Sequence, residues 1–248
     1  MLSRCPVRVI AFLTVTDDMK VSLFQSNFHK IETGPDKYLM PLSKIETMGS
    51  QSAWGLWFIS EEEPDLSYVS YESCPDDIIH PQKRLEYLAG RALIKTLVES
   101  IQVTYEGLRK DEFGKPFLKV HAHAISLSHS YPYVAAQIDR DQPVGIDVEQ
   151  VKEKLRQVGP RILSPKEVEN AGDSLVKLCI YWCAKEALYK IHGKRNLLFS
   201  DHLKIHPFSL QETGQLRGTI DVAPSPADVR LGYEVTKEYV VVFTETRP

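Results

Sequence analysis

Residues 125–138 read ISLSHSYPYVAAQI, and residues 229–244 read VRLGYEVTKEYVVVFT. Each is a pair of strand-like runs around a short break: 124–130 with 133–138, and 229–235 with 239–244, turning at Thr236-Lys237-Glu238. A long helical pattern comes before each pair. In the first half it covers 81–100, with a proline in the first turn and Leu85, Leu88, Ala89, Ala92, Leu93, Thr96 and Leu97 on one apolar face. In the second half it runs over 174–192 and is ended by Gly193. A long helix followed by a strand pair, twice, predicts an α+β fold of two lobes. This is a pseudo-dimer within one chain, each lobe a small antiparallel sheet packed against a long helix. Element order carries this reading, because sequence identity between the halves is not evident. The expected division is 40–140 for the first lobe and 141–248 for the second. Residues 1–39 are an N-terminal extension or contribute first strands.

Around this frame the remaining elements read as follows. Residues 7–15 and 19–24 form a strand pair about Thr16-Asp17-Asp18. AWGLWFIS at 53–60 is a buried strand, followed by an acidic loop over 61–65. Strand, turn and strand fit RKDEFGKPFLKV at 109–120, punctuated by Gly114 and Pro116. Residues 144–149 form a further strand. Ser164-Pro165-Lys166-Glu167 opens a short helix with a capping box.

The chain has 248 residues, 43% of them hydrophobic and 25% charged, with a formal net charge of −3. That balance argues against a nucleic-acid binder or a polybasic membrane protein, so any anion site must come from local placement of Lys and Arg. The apolar run 9–15 is too short to span a bilayer. Cys5, Cys74, Cys179 and Cys183 form neither a disulfide framework nor a zinc-ligand pattern, which fits a reducing, cytoplasmic setting. A pseudo-dimer has less need to oligomerise, and a monomer is expected.

Two segments concentrate acidic chemistry. In Gly145-Ile146-Asp147-Val148-Glu149, period-2 geometry sends Asp147 and Glu149 to one face and Ile146 and Val148 to the core. Taken alone, this suits a solvated strand face as well as it suits a cation site. The second segment is Trp182-Cys183-Ala184-Lys185-Glu186-Ala187-Leu188-Tyr189-Lys190. Here Glu186 falls within the apolar stripe of Leu175, Leu178, Cys179, Trp182 and Tyr189. A carboxylate on a buried face is costly unless it is paired or metal-bound. The other reading of Glu186 is a surface ion pair with Lys190. Three carboxylates from two segments match the hard oxygen donors that Mg²⁺ takes, with water and substrate phosphate completing the shell. Lys185 and Lys190 add positive charge for phosphate oxygens. Neither GxxxxGK[ST] nor GxGxxG occurs, so no P-loop or Rossmann turn holds the phosphate.

Together GIDVE and WCAKEALYK resemble the paired signature of the 4′-phosphopantetheinyl transferases. FGKP at 113–116, SLSHS at 126–130 and RLEYLAGRALIK at 84–95 resemble three further blocks of that family, in order. The resemblance spans about residues 81–192, and the two-half organisation looks like the Sfp-type branch. It implies that Asp147, Glu149 and Glu186 hold Mg²⁺, which binds the pyrophosphate of coenzyme A, with Lys185 and Lys190 on the phosphates. It further implies His129 and Ser128 at the 3′-phosphate, Lys115 and Pro116 at the adenine, and Arg84 or Arg91 near the nucleotide phosphates. The implied reaction moves the phosphopantetheine arm of coenzyme A to a serine of an apo acyl or peptidyl carrier protein, with Glu186, or a water it orients, as base. Carrier proteins of this family's reaction are acidic, so the basic segment 151–161 (Lys152, Lys154, Arg156, Arg161) is an expected dock, the other reading being an ordinary solvated loop. Competing readings are a magnesium-dependent phosphohydrolase or nucleotidyl transferase, a non-catalytic coenzyme A or carrier-protein binding module, and a purely structural α+β protein.

Overall fold

A computed structural model describes residues 42–194 and 197–245. The strand pair expected over 7–15 and 19–24, and the whole 1–39 segment, lie outside the described residues.

The first sheet holds β1 (Leu42–Thr47), β2 (Ser52–Phe58), β5 (Ala124–Ser130) and β6 (Tyr133–Asp139), ordered β1-β2-β6-β5 and antiparallel. Between them lie α1 (Glu63–Ser70), α2 (Pro81–Ser100), and the two-stranded hairpin β3 (Leu108–Lys110) and β4 (Pro116–Leu118). β7 (Ile146–Glu149) begins the second sheet. It is followed by α3 (Leu155–Ile162), α4 (Pro165–Ala171), α5 (Leu175–His192) and α6 (Phe199–His202). β8 (Leu203–Ile205), β9 (Thr213–Ile220), β10 (Ala227–Val235) and β11 (Val240–Thr244) complete that sheet in the antiparallel order β7-β11-β10-β9-β8.

Each sheet buries one face under its long helix. Leu88, Ala89, Ala92, Leu93 and Leu97 of α2 pack on Trp57, Val134, Ala136 and Ile138, and Leu178, Cys179, Ala184 and Leu188 of α5 join Val240, Val242 and Leu231. The inner faces of the two sheets meet in a third core of Trp54, Leu56, Ala135, Ile146, Val148 and Val241. The layering is therefore helix, sheet, sheet, helix, the two-lobe α+β arrangement the repeat of elements predicts. Polar contacts fix the register between the lobes. The buried amide of Gln137 donates to the Thr244 carbonyl at 2.6 Å and accepts from its N–H at 3.1 Å. Trp54 stacks on Phe243 with ring centroids 4.4 Å apart.

Several expectations change. The acidic stretch after β2 is the start of α1, because Pro64 and the acids Glu63 and Asp65 suit a first helical turn. The basic segment 151–161 contains most of α3, which buries Leu155 and Gly159 and leaves its basic residues outside. Ser164 and Glu167 do form the reciprocal capping box that opens α4.

Candidate functional site

Gly145 lets β7 approach α5. A Cβ there would lie 2.0 Å from the Ala187 carbonyl oxygen, so a larger residue forces strand and helix apart. The close approach brings Asp147 beside Lys190 of α5. Lys190 Nζ donates to Asp147 Oδ1 at 2.7 Å and to the Ile146 carbonyl at 2.9 Å. Asp147 is buried, and its Oδ2 has no hydrogen-bond partner. Glu186 sits close enough for its carboxyl to be pushed up to about 7. Burial is the largest cause, and the charges of Asp147 and Glu149 add to it against the pull of Lys190.

The serines of SLSHS explain how the acids are held. β5 and β7 are the edge strands of their sheets and lie side by side. Alternate residues of β5 face β7. Ser126 Oγ accepts from the Ile146 N–H at 3.0 Å, Ser128 Oγ donates to Asp147 Oδ1 at 2.5 Å, and Ser130 Oγ donates to Glu149 Oε2 at 2.8 Å. One strand thus supplies a ladder of hydroxyls to the acidic strand. Ser126 and Ser130 escaped the sequence reading; their i, i+2 spacing with Ser128 was the available signal.

The same alternation separates two residues that were expected together. His129 faces away from Ser128, toward α2, where its Nδ1 lies 3.4 Å from Glu86 Oε2. Ser128 is therefore engaged by Asp147, and its side chain does not share a site with the His129 ring.

Lys185 is a second correction. Its side chain is fully buried, with Nζ 2.8 Å from Glu167 Oε2, 2.8 Å from the Phe199 carbonyl and 2.5 Å from the Leu203 carbonyl. Consecutive helical residues diverge by about 100°, and α5 is covered on this flank by α4, α6 and β8. The helical stripe in the sequence marks only the flank under the sheet. Lys185 thus anchors α5 to Glu167 and does not face the acids.

Arg84 and Arg91 are likewise occupied within the first lobe. Arg84 makes a two-point pair with Glu63 at 2.6 and 2.7 Å and donates to the Ile78 carbonyl. Arg91 is buried against Glu72 at 2.8 Å and lies over the Tyr87 ring. Neither joins the acids. The α2 cation beside His129 is instead Lys83, which pairs with the buried Glu86.

Lys115 and Pro116 line a cleft of about 230 Å³ with Phe113, Leu127, Tyr189 and Lys190. Burial lowers the Lys115 pKa, and its Nζ donates to the Lys190 carbonyl at 3.1 Å, tying the hairpin to the end of α5. Lys190 therefore touches both the cleft and Asp147. A larger hollow of about 350 Å³, between the loop after β8 and β10, is lined by His206, Phe208, Arg217 and Tyr233 and lies apart from these groups.

Among the described residues, no three His, Cys, Asp or Glu side chains stand as a ready metal-binding group. Ser128, Ser130 and Lys190 occupy carboxylate oxygens that a cation would otherwise take. The donor chemistry nonetheless suits a hard divalent ion. Asp147 Oδ2 is buried and unpartnered, and Glu186 carries a carboxyl made less acidic by burial and then by the charges of Asp147 and Glu149.

Residues 143–244 match the family model of the 4′-phosphopantetheinyl transferase superfamily. The chain is similar to the 4′-phosphopantetheinyl transferase gsp of Aneurinibacillus migulanus, 32% identical over 115 residues, covering 43% of this chain and 48% of that protein. It is also similar to the 4′-phosphopantetheinyl transferase Sfp of Bacillus subtilis (strain 168), 26% identical over 205 residues, 77% of this chain and 88% of that protein. The match thus spans about half the length of the first relative and most of the second.

Proposed function

We propose that this chain, whose residues 143–244 match the family model of the 4′-phosphopantetheinyl transferase superfamily, is a transferase of that kind. In this reading it moves the phosphopantetheine arm of coenzyme A to a serine hydroxyl of an acyl or peptidyl carrier protein. The observation that carries it is the double engagement of Lys190, which holds Asp147 and also lines the cleft with Lys115 and Pro116. A phosphate lying in that cleft meets a lysine already paired with a buried carboxylate.

Asp147, Glu149 and Glu186 are the residues to hold Mg²⁺, with Asp147 Oδ2 the oxygen free to do so. Bound there, the ion supplies charge neutralisation for pyrophosphate oxygens. The transfer forms a bond from the serine oxygen to the phosphorus nearest pantetheine. It breaks the bond from that phosphorus to the bridging oxygen, which leaves on adenosine 3′,5′-bisphosphate. The serine proton passes toward Glu186, by way of a water that Glu186 orients. A carboxyl near 7 is matched to proton transfer at neutral pH. Lys190 stabilises the charge on the phosphate oxygens, and Lys115 and Pro116 border the base.

The exposed cations of the α3 region, Lys152, Lys154, Arg156 and Arg161, offer a dock to an acidic carrier. We take the working unit to be a monomer of two lobes, 40–140 and 141–248, with partners other than nucleic acid or membrane. No described helix is long and apolar enough to cross a membrane. The buried thiols of Cys74, Cys179 and Cys183 suit the reducing cytoplasm. The test is chromatographic: adenosine 3′,5′-bisphosphate appears from coenzyme A and Mg²⁺ only when an apo carrier is added. Release without a carrier instead indicates a hydrolase.

A further inference from the structure

The outer face of the second sheet carries charge that its own residues leave unbalanced. β9 turns Leu216, Gly218 and Ile220 toward α5, so Arg217 and Thr219 face the other way. Arg217 stands directly opposite Arg230 of β10. The Arg217 carbonyl accepts from the His206 N–H at 2.9 Å, on the β8 side. Its backbone therefore turns away from β10, and the two arginines form a pair of the non-hydrogen-bonded kind, in which side chains come closest. Like charges so placed repel. The acids of this face are engaged elsewhere: Asp228 accepts from Thr219 Oγ1 at 2.9 Å, Asp221 pairs with Lys204, and Glu234 pairs with Lys44. Both arginines are exposed, and among the described residues neither guanidinium makes a hydrogen bond or an ion pair.

Arg217 also borders the hollow of about 350 Å³. β8 pairs only with residues 218–220 of β9, and the loop after it leaves the preceding stretch of the β9 edge open. By the alternation that turns the Arg217 backbone toward β8, the N–H and carbonyl of Gln215 project from this open edge. Phe208 and Tyr233, with ring centroids 5.8 Å apart, give the hollow an aromatic wall. We propose that Arg217 and Arg230 together clamp one phosphate monoester dianion, whose organic group lies in the adjoining hollow. A carboxylate answers one guanidinium, whereas a monoester carries up to two negative charges and three oxygens to share between two forks. The site is separate from the transfer cleft and needs neither coenzyme A nor Mg²⁺.

The probes are inorganic phosphate, phenyl phosphate and benzoate, each titrated in chelator beside sodium chloride of matched ionic strength. Unfolding temperature is read for wild type, Arg217→Ala, Arg230→Ala and Lys190→Ala. Phosphate should raise Tm beyond the chloride control in wild type. The excess rise should persist in Lys190→Ala, which removes a cation of the transfer cleft. Each arginine variant, altered at an exposed side chain, should bind phosphate about tenfold more weakly. Phenyl phosphate should bind more tightly than either inorganic phosphate or benzoate. Equal rises with phosphate and chloride in wild type would overturn the site. A response lost in Lys190→Ala and kept in the arginine variants would overturn it too, by placing the anion in the transfer cleft. Benzoate as tight as phenyl phosphate overturns the need for a dianion, and inorganic phosphate as tight as phenyl phosphate overturns the role of the hollow. No arm uses coenzyme A or a carrier, so failure here leaves the transferase reading standing, and failure of that reading leaves this site standing.

Discussion

Lys190 Nζ lies 2.7 Å from Asp147 Oδ1, while Asp147 Oδ2, buried on the same carboxylate, has no partner. One oxygen is committed to a cation of the protein, and the function proposed above gives the other to a cation from solution. The site is organised around that asymmetry.

Ligand linkage gives its first consequence. A cation that binds the folded chain alone raises the unfolding temperature in proportion to its occupancy. Mg²⁺ titrated into wild type should raise Tm, and Asp147→Asn should remove most of the rise. Calorimetric or fluorescence-detected melting checks this, and an undiminished rise in Asp147→Asn moves the ion elsewhere.

Lys185 and Lys190, one helical turn and a half apart, should fail in different ways. Removing Lys185 leaves Glu167 buried without its counter-charge, a change worth about 3–5 kcal/mol. Lys185→Ala should therefore lower urea-unfolding stability by that order. Lys190→Ala should cost less stability, because Lys190 is a quarter exposed and Ser128 still donates to Asp147, and should lower the transfer rate by about 100-fold. Equal stability losses in the two variants would contradict the division of roles.

Gly145→Ala should be poorly tolerated despite its small size. The added methyl meets the Ala187 carbonyl oxygen at 2.0 Å, so β7 must withdraw from α5 at a cost of about 1–3 kcal/mol or more. Reduced Tm together with lost transfer is expected. A variant as stable and active as wild type would show that the strand has room the structure denies it.

Glu186 gives a pH signature in metal-free protein. Its folded pKa, about 7, lies above its ordinary value of 4.5. An acid raised on folding binds its proton more tightly when folded, so below 4.5 it makes no difference, and stability falls as pH rises from 4.5 to about 7. Above that window the loss is complete. Tm measured against pH in chelator should show this fall in wild type and a flatter curve in Glu186→Gln. Identical curves would contradict it.

The sequence makes the frame readable where a single physical rule decides. α2 occupies Pro81–Ser100 as its proline start and apolar face indicate, and α5 closes at Gly193, whose φ of +68° suits glycine. β9, TGQLRGTI, escapes because its glycines and charges blur the alternation, and it becomes a strand through pairing with β8 and β10. Asp147, Glu186 and Lys190 come together as the face each occupies indicates. Lys185 is misread because helical phase shows one buried flank of α5 and cannot show the second, where Glu167 waits 18 residues earlier in the chain. Ser128 and His129 are adjacent in sequence yet divided by the pleat. Glu86 stays hidden because a buried acid on a helix looks like any surface acid until its partners are placed.

Transfer itself is tested most directly by the intact mass of an apo carrier protein after incubation with coenzyme A and Mg²⁺. Wild type should add one phosphopantetheine to the carrier, while Glu186→Ala, still folded, should add none. No mass gain on any carrier in a fatty-acid, polyketide and nonribosomal-peptide panel, or an equal gain with Glu186→Ala, would contradict the account.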